Sequence, residues 1–206
     1  MREVLKATAR GLAFVCVLPA LLSYAIRQSV LGRDRALEGS TQALSLVPGL
    51  LGQYLRRAFL GQTLARCHAT AVVSFGTIFS KADARLDERA YVGPGCYLGL
   101  VHIERDVLIG SGVHITSGKQ THGTADPTIP MRDQPGEMTL VRIGAGAWIG
   151  SAAVVMADVG ANSIVGAGSV VTNPIPEAVI AAGVPARVVR TRTEGSPEPS
   201  ADAVSA

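Results

Sequence analysis

The feature that most constrains the fold of this chain is a six-residue repeat of aliphatic residues, which extends from about residue 72 to about residue 175. A period of six fits neither an α-helix nor a β-hairpin. It predicts short strands that each turn a corner and stack as a triangular prism, with three hexads in each coil. The repeated positions are Leu86, Val92, Leu98, Ile103, Ile109, Ile115, Ile143, Ile149, Val155, Val159, Val165 and Val171.

The residues around these positions support the same interpretation. Glycine directly follows many of them, and a corner needs unusual backbone angles that glycine adopts easily. A second set of mostly small residues stands four positions after an aliphatic residue: Ala90, Cys96, Val107, Val113, Ala147, Ala153 and Ser169. Only 4% of the residues are aromatic while 48% are hydrophobic, which suits a narrow core of Ile, Val and Ala. We therefore expect each aliphatic side chain to stack on its counterpart one coil away, at about 4.8 Å.

Two steps of the repeat are shorter than six. Leu98 is followed by Ile103 after five residues, and Val155 by Val159 after four. We expect shortened corners at both places.

The first 60 residues have a different, helical character. Residues 12–26 form an apolar run with basic residues on both sides. Fifteen residues are fewer than the roughly 20 that cross a bilayer, and Pro19 is expected to kink the helix. Three interpretations stay open: a signal peptide ending near Ala25, a buried helical hairpin, and a membrane-embedded hairpin.

A second helical stretch covers residues 36–60 and is broken at Pro48-Gly49. Its last part carries one apolar face, with Arg56 and Arg57 near the edge, a pattern suited to an interface. That face comprises Leu50, Leu51, Tyr54, Leu55 and Ala58.

Charge and cysteine usage indicate the compartment and the partners. The net charge is +3, and much of the excess lies in the first 60 residues. No aromatic residues alternate with these charges, so they favour an anionic membrane surface over nucleic acid. The three cysteines form no CxxC pair, which indicates a reducing compartment.

We predict a helical segment 1–66, a β-helix 67–190 and a disordered tail 191–206.

A long interruption of the repeat is the candidate for the chemistry. The repeat stops between Ile115 and Ile143, and a loop of this length in a regular solenoid usually carries the site. We predict an active-site loop over residues 116–142. Within it, His122 is flanked by Thr121 and Gly123, which leave the imidazole accessible.

Residues 86–190 resemble the hexapeptide-repeat acetyltransferases, in particular the branch that contains the galactoside and maltose O-acetyltransferases. The resemblance is carried by VLIGSGVHI from Val107, the loop with His122, GEM from Gly136, IGAGAWIGS from Ile143, VGAGSVVT from Val165 and AGVPARVVR from Ala182. The segment around residues 45–49 and 56–57 resembles a membrane-associated subgroup encoded with polysaccharide biosynthesis. The resemblance implies a left-handed parallel β-helix and a homotrimer with its sites between the prisms.

The resemblance also implies a mechanism. An acceptor hydroxyl attacks the thioester of acetyl-CoA directly, and His122 removes its proton as general base, an effect worth roughly 10²–10⁴ in rate. Glu137 is expected either to orient the imidazole or to hold the acceptor, with a solvated loop acid as the open alternative.

The donor site is implied in the same way. Trp148 and Ser151 are expected to border the pantetheine channel, with backbone groups of Ala167 and Thr172, while Arg187 and Arg190 are expected to reach the phosphates. No metal is expected.

Two departures from the family pattern affect the donor and acceptor sites. Asn173 follows Thr172 where the family often has lysine, which removes a cation. Pro94 stands where an asparagine helps to hold the acceptor, so a simple galactoside or maltose is not expected.

Three other functions stay open. One is an N-acyltransferase of an amino sugar, and another is a non-catalytic scaffold in a polysaccharide assembly complex. The third is a γ-carbonic-anhydrase-like zinc enzyme, which would need His102, His114 and His122 to converge on one metal. We expect His114 to point outward from its coil with a structural role. The favoured function is an acetyl-CoA-dependent O-acetyltransferase of a saccharide, peripheral on the inner face of the cell membrane.

Overall fold

Three helices precede the repeat region. A computed structural model describes residues 2–192 of the chain. The helices are α1 (Arg2–Leu31), α2 (Arg33–Ser45) and α3 (Gly49–Thr63). The predicted break at Pro48-Gly49 thus falls between α2 and α3. Most of the tail predicted to be disordered, from residue 193 onward, lies outside the described residues.

Short strands wind into a parallel β-helix with three sheets, as the six-residue period predicts. Each of the first four coils contributes one strand to each sheet. The first sheet contains β1 (Arg66–Cys67), β4 (Arg85–Leu86), β7 (Val101–Ile103) and β10 (Val141–Ile143). The second contains β2 (Val72–Val73), β5 (Tyr91–Val92), β8 (Leu108–Ile109), β11 (Trp148–Ile149), β13 (Ile164–Val165), β15 (Val179–Gly183) and β16 (Ala186–Thr191). The third contains β3 (Ile78–Phe79), β6 (Tyr97–Leu98), β9 (His114–Ile115), β12 (Val154–Val155) and β14 (Val170–Val171).

The core of the prism consists of the repeated aliphatic residues, stacked in columns. Ile109, for example, pairs with Val92 on one side and with Ile149 on the other. All twelve positions of the predicted repeat are at most 2% exposed. The seven smaller residues four positions later are at most 1% exposed. Both predictions from the repeat are therefore confirmed.

The irregular steps of the repeat share one location. In every coil the steps from the first sheet to the second, and from the second to the third, are six residues. The return from the third sheet to the first instead takes different lengths, as from Leu98 to Ile103 and from Val155 to Val159. The long loop after Ile115 lies at the same corner. In the coils that the structure describes, the insertions and deletions thus lie at this third corner, where they leave the register of the inward residues unchanged.

The helices α2 and α3 cover the open end of the first coil, where strands β1–β3 would otherwise leave their edges unpaired. The Gly76 N–H donates to the Ser45 carbonyl at 2.9 Å, and the Phe79 backbone bonds the Thr41 hydroxyl at 3.2 Å. Leu37 and Phe59 are fully buried here and belong to the same core as the prism.

Arg56 is part of this cap, which corrects its predicted place near the edge of a membrane-facing surface. Its side chain is 3% exposed, and it donates to the carbonyls of Val73 at 2.9 Å and Val47 at 2.8 Å. It also donates to the carbonyls of Leu44 and Ser45. A guanidinium carries five N–H donors in a fixed geometry, so it can satisfy several carbonyls that converge at the end of a solenoid. The Arg56 charge is therefore unavailable to lipid headgroups.

The first helix is longer than the apolar run predicts. The helix α1 spans 30 residues and continues through Pro19, and Thr8–Leu31 is long and apolar enough to cross a membrane. One side packs on α2 and α3, where Val17 is 1% exposed and the Tyr24 ring meets Phe59 edge-on at 5.8 Å. The opposite side is also apolar, and it is exposed.

Candidate active site

The loop that interrupts the repeat connects β9 to β10 and leaves the prism at the third corner. Its two arms run side by side at the base, because the Thr139 N–H donates to the Ser117 carbonyl at 2.8 Å and the Glu137 N–H to the Gln120 carbonyl at 2.7 Å. The loop is slightly shorter than predicted, since strand β10 already begins at Val141.

The backbone of His122 is held in place by close packing, because the second arm of the loop crosses the first arm at this residue. A Cβ atom added at Gly136 would lie 2.2 Å from the Thr121 carbonyl oxygen and 2.6 Å from the His122 nitrogen. A Cβ at Gly123 would lie 2.5 Å from the Pro135 carbonyl oxygen. Glycine is therefore required for steric reasons at the point where the two arms cross. The His122 side chain itself is exposed.

Glu137 lies on the arm opposite His122, and its side chain is also exposed. Among residues 2–192, neither the His122 ring nor the Glu137 carboxylate has a hydrogen-bond partner. The structure thus places Glu137 in the neighbouring arm without the contact that would orient the imidazole. Both groups remain accessible to a substrate.

Gln134 is a loop residue that the sequence analysis missed. Its side chain is 8% exposed, accepts from the Asp126 N–H at 3.2 Å, and donates to the carbonyls of Asp126 at 2.7 Å and Ile129 at 2.8 Å. One amide group thereby closes the outer part of the loop. No pattern in the sequence distinguishes it from a solvated polar residue.

A cavity of about 310 Å³ lies between the base of the loop and the corners of the following coils. Its walls are residues 118–120, 139–141, 156–158 and Pro174, and His122 is not among them. The Lys119 ammonium group lines the cavity and lies 3.4 Å from the Thr172 carbonyl oxygen. Lys119 therefore places a cation beside the position where the chain lacks the family's lysine, at residue 173.

The residues predicted to bind the donor lie mostly on another part of the prism. Trp148 points outward from the second sheet and is 48% exposed. Ser151 and Ala167 occupy equivalent corner positions on consecutive coils, between the second and third sheets. The coils approach closely there, because a Cβ atom on Gly150 would lie 2.5 Å from the Ala167 nitrogen. The corner thus offers backbone groups and one hydroxyl beside an exposed indole.

A β-bulge brings the two predicted phosphate-binding arginines to the same face. Arg187 and Arg190 lie on β16, the antiparallel last strand. Arg187 pairs with Ala182 and Arg190 with Ile180, so one extra residue of β16 lies between them. Without this bulge, two residues three apart on a strand would face opposite sides.

This common face is the outer face of the second sheet, because Ala181, between the two paired partners, is fully buried. Ile180 pairs with Ile164, which pairs with Trp148. Arg190 and Trp148 are therefore in one outward row, three strand spacings or about 14 Å apart. Among the described residues, no carboxylate pairs with either arginine, so an anionic ligand would meet uncompensated charge.

The predicted site residues thus fall into two groups. The second sheet and its corner carry Trp148, Ser151, Ala167, Arg187 and Arg190. The third corner carries His122 and Glu137 in the loop, together with Thr172. In a triangular prism the third corner is opposite the second sheet, so the β-helix of one chain separates the imidazole from the donor face.

The other histidines do not form a metal site with His122. The His102 Nε2 atom lies 2.9 Å from an Asp87 carboxylate oxygen on the first sheet. His114 is exposed on the third sheet, as expected, and stacks on Tyr97 at 6.3 Å. Within residues 2–192, no group of three or more His, Cys, Asp or Glu residues could hold a metal ion. The arrangement that a zinc hydratase needs is not present there.

Comparisons with known proteins agree with this architecture. Galactoside O-acetyltransferase of Escherichia coli (strain K12) is 33% identical over 163 residues, which cover 69% of this chain and 80% of that protein. A second protein of the same strain, provisionally named as a lipopolysaccharide biosynthesis O-acetyl transferase, is 33% identical over 122 residues, 56% of this chain and 61% of that protein. No protein-family model matches the chain.

Solved structures show the same fold. A galactoside acetyltransferase in complex with coenzyme A superposes with a TM-score of 0.67 at 24% identity, over 78% of this chain and 81% of that one. A hexapeptide-repeat acetyltransferase from Vibrio cholerae gives a TM-score of 0.67 at 20% identity, over 80% and 96% of the two chains.

Proposed function

Because this chain is an acetyltransferase of the hexapeptide-repeat family that includes galactoside O-acetyltransferase, we propose that it transfers an acetyl group from acetyl-CoA to a saccharide hydroxyl. Two relatives named as O-acetyl transferases support transfer to oxygen. The second is named for lipopolysaccharide biosynthesis, which supports a cell-surface polysaccharide or its lipid-linked precursor as the acceptor class.

His122 is the general base of this proposal. A sugar hydroxyl is a weak nucleophile at neutral pH, so its proton must leave as its oxygen bonds to the thioester carbon. A neutral imidazole can accept that proton. When the carbon–sulfur bond breaks, the imidazolium can return the proton to the departing thiolate. The exposed His122, fixed by the crossing of the loop arms at Gly136, is the observation that carries the proposal.

The outer face of the second sheet is the proposed donor site. Arg187 and Arg190 would hold the phosphates, while Trp148 and the corner with Ser151 and Ala167 would border the pantetheine arm. The row along the second sheet supports this assignment, because it places cations at one end and an exposed indole about 14 Å away.

A second copy of the chain completes the site in this proposal. The loop of one protomer would lie against the second sheet of its neighbour, so that His122 meets the donor across the interface. A closed ring of three copies would form three such sites. The opposite placement of the third corner and the second sheet supports an assembly with its sites between prisms.

The acceptor differs from a simple galactoside in this proposal. Pro94 is exposed. It occupies the corner position that Ser111, Ser151 and Ala167 occupy on the three following coils. It has no N–H donor and no amide side chain, so it cannot hold a sugar hydroxyl as an asparagine would.

Substitution of the base tests the reaction. His122→Ala is expected to lower the rate of CoA release with a saccharide acceptor by at least roughly 10² and to leave circular dichroism and oligomeric state unchanged. The exposed loop substitution Thr124→Ala is the matched control. A His122→Ala enzyme with near wild-type turnover would refute the assignment.

We also propose that α1 attaches the enzyme to the cytoplasmic face of the membrane, on the side where acetyl-CoA is available. The side of α1 that faces away from the protein carries five large apolar residues, each at least 61% exposed: Leu12, Val15, Leu22, Ile26 and Val30. A helix that is apolar on both sides needs a second apolar environment, which lipid supplies.

The contacts of α1 favour a position in the membrane plane over a crossing. They extend from Phe14, in a cavity shared with α3, to Arg27, which donates to the Ser40 hydroxyl at 2.8 Å. A crossing that kept these contacts would bring the charged helix α2 into the hydrocarbon, at several kcal/mol for each charge. Lying in the plane, α1 would place only its exposed side at the level of the acyl chains.

Membrane attachment is tested by point substitution. A chain that starts near Ala69 would lack α1, but it would also lack α2 and α3, which cap the prism and bury Phe59 against it. Such a truncated chain is not expected to stay soluble, so it does not test α1 alone. The double substitution Leu22→Glu/Ile26→Glu is expected to release the enzyme into the supernatant with its acetyl transfer intact. Attachment that survives this change would contradict the proposed orientation of α1.

A further inference from the structure

Arg10 and Arg57 line one cavity near the N-terminal part of α1. The cavity has a volume of about 250 Å³ and lies between α1, α3 and the first coil of the prism. Arg10 and Phe14 come from α1, one helical turn apart, while Tyr54 and Arg57 come from α3. The two cations thus face the same space from different helices.

Neither cation is neutralised within the described part of the chain. No carboxylate there pairs with Arg10 or Arg57, and the Arg10 Nε atom is buried with no hydrogen-bond partner. The Arg57 guanidinium lies over the Tyr54 ring at 4.6 Å, which fixes its plane but supplies no negative charge. Burial is the main cause that lowers the pKa of the Arg57 guanidinium, and the positive charge of Arg10 lowers this pKa further. A buried N–H without a partner is costly and indicates a missing acceptor.

The remaining wall of the cavity supplies no competing anion. Burial raises the pKa of the Cys67 thiol to about 12, so this side chain stays neutral. Ala58, Gly61, Gln62 and Ala69 complete the lining, and the Gln62 amide carries no charge.

We propose that this cavity binds the phosphate group of an anionic membrane lipid. Two guanidinium groups provide paired donors for phosphate oxygens. The lipid source follows from position, because Phe14 on the same wall is 41% exposed and the apolar outer side of α1 begins at Leu12. A lipid whose headgroup enters the cavity could extend its chains along α1. This inference rests on the membrane attachment proposed above, and it adds a specific site to it.

The test measures binding of the detergent-purified full chain to vesicles of phosphatidylcholine, with and without phosphatidylglycerol. Wild-type protein is expected to bind the vesicles that contain phosphatidylglycerol more tightly. Arg10→Gln and Arg57→Gln are each expected to weaken that preference roughly tenfold, the loss of a charge-assisted hydrogen bond. Arg10→Lys and Arg57→Lys keep the charge and are expected to retain most of the preference for phosphatidylglycerol. These variants separate loss of binding from loss of folding.

The control is Arg105→Gln, which removes an equal charge from a side chain that is 69% exposed on the prism. The site would be overturned if Arg105→Gln weakened the preference for phosphatidylglycerol as much as Arg10→Gln and Arg57→Gln do. It would also be overturned if Arg10→Gln and Arg57→Gln left that preference unchanged. Competition by inorganic phosphate as strong as that by phosphatidylglycerol vesicles would overturn the lipid source. Wild-type binding that is equal on both vesicles refutes the site for an anionic lipid but leaves membrane attachment standing. Binding to neither vesicle refutes both, and CoA release tests the acetyl transfer independently.

Discussion

Gly136→Ala should disable the active-site loop without touching a reacting group. Gly136 packs against the backbone of Thr121 and His122, and a Cβ there would lie 2.2 Å from the Thr121 carbonyl oxygen. All three atoms within 2.6 Å are backbone atoms of Thr121 and His122, so no side chain can rotate away. One arm of the loop must therefore move.

The size of the movement sets the expected effect. A Cβ atom in ordinary contact lies 3.4–4 Å from its neighbours, so the arms must separate by at least about 1 Å. A displacement of about 1 Å at a catalytic group costs on the order of 10² in rate. Global stability should change little, because the loop is exposed and contributes few residues to the core.

The assay is CoA release with the saccharide acceptor on which the wild-type enzyme is fastest, accompanied by thermal unfolding. Gly136→Ala should lower kcat about 10²-fold while the midpoint of unfolding stays near the wild-type value. Gly11→Ala is the control, because a Cβ there meets no atom within 4 Å. A Gly136→Ala enzyme with wild-type kcat would show that the position of the His122 backbone does not control the reaction.

Two further substitutions test the donor face and the cap. Arg187→Ala combined with Arg190→Ala should raise KM for acetyl-CoA more than KM for its 3′-dephospho analogue, because the proposed contacts are to phosphates; equal increases would argue against that role. Arg56→Met should lower the free energy of unfolding by about 2 kcal/mol or more in urea titrations, because it leaves the carbonyls of Val47 and Val73 without their guanidinium donor. An unchanged urea midpoint would mean that water satisfies these carbonyls.

The sequence alone determined the prism and its interior. Side chains that point into a solenoid must recur once in each strand, so the six-residue period identified twelve of the inward positions, from Leu86 to Val171. The same regularity made the interruption after Ile115 visible, and with it His122. Family resemblance, rather than periodicity, supplied the handedness and the roles of Glu137 and the donor residues.

Only the tertiary structure decided how non-repeating residues are used. Arg56 looks like a surface cation in the sequence, but four carbonyls converge on it at the end of the first coil, and such convergence depends on contacts between distant segments. The bulge that aligns Arg187 with Arg190 depends on strand pairing, which a local sequence pattern does not encode. The exposed side of α1 shows the same limit: a uniformly apolar helix does not reveal which side the protein covers until α2 and α3 are in place.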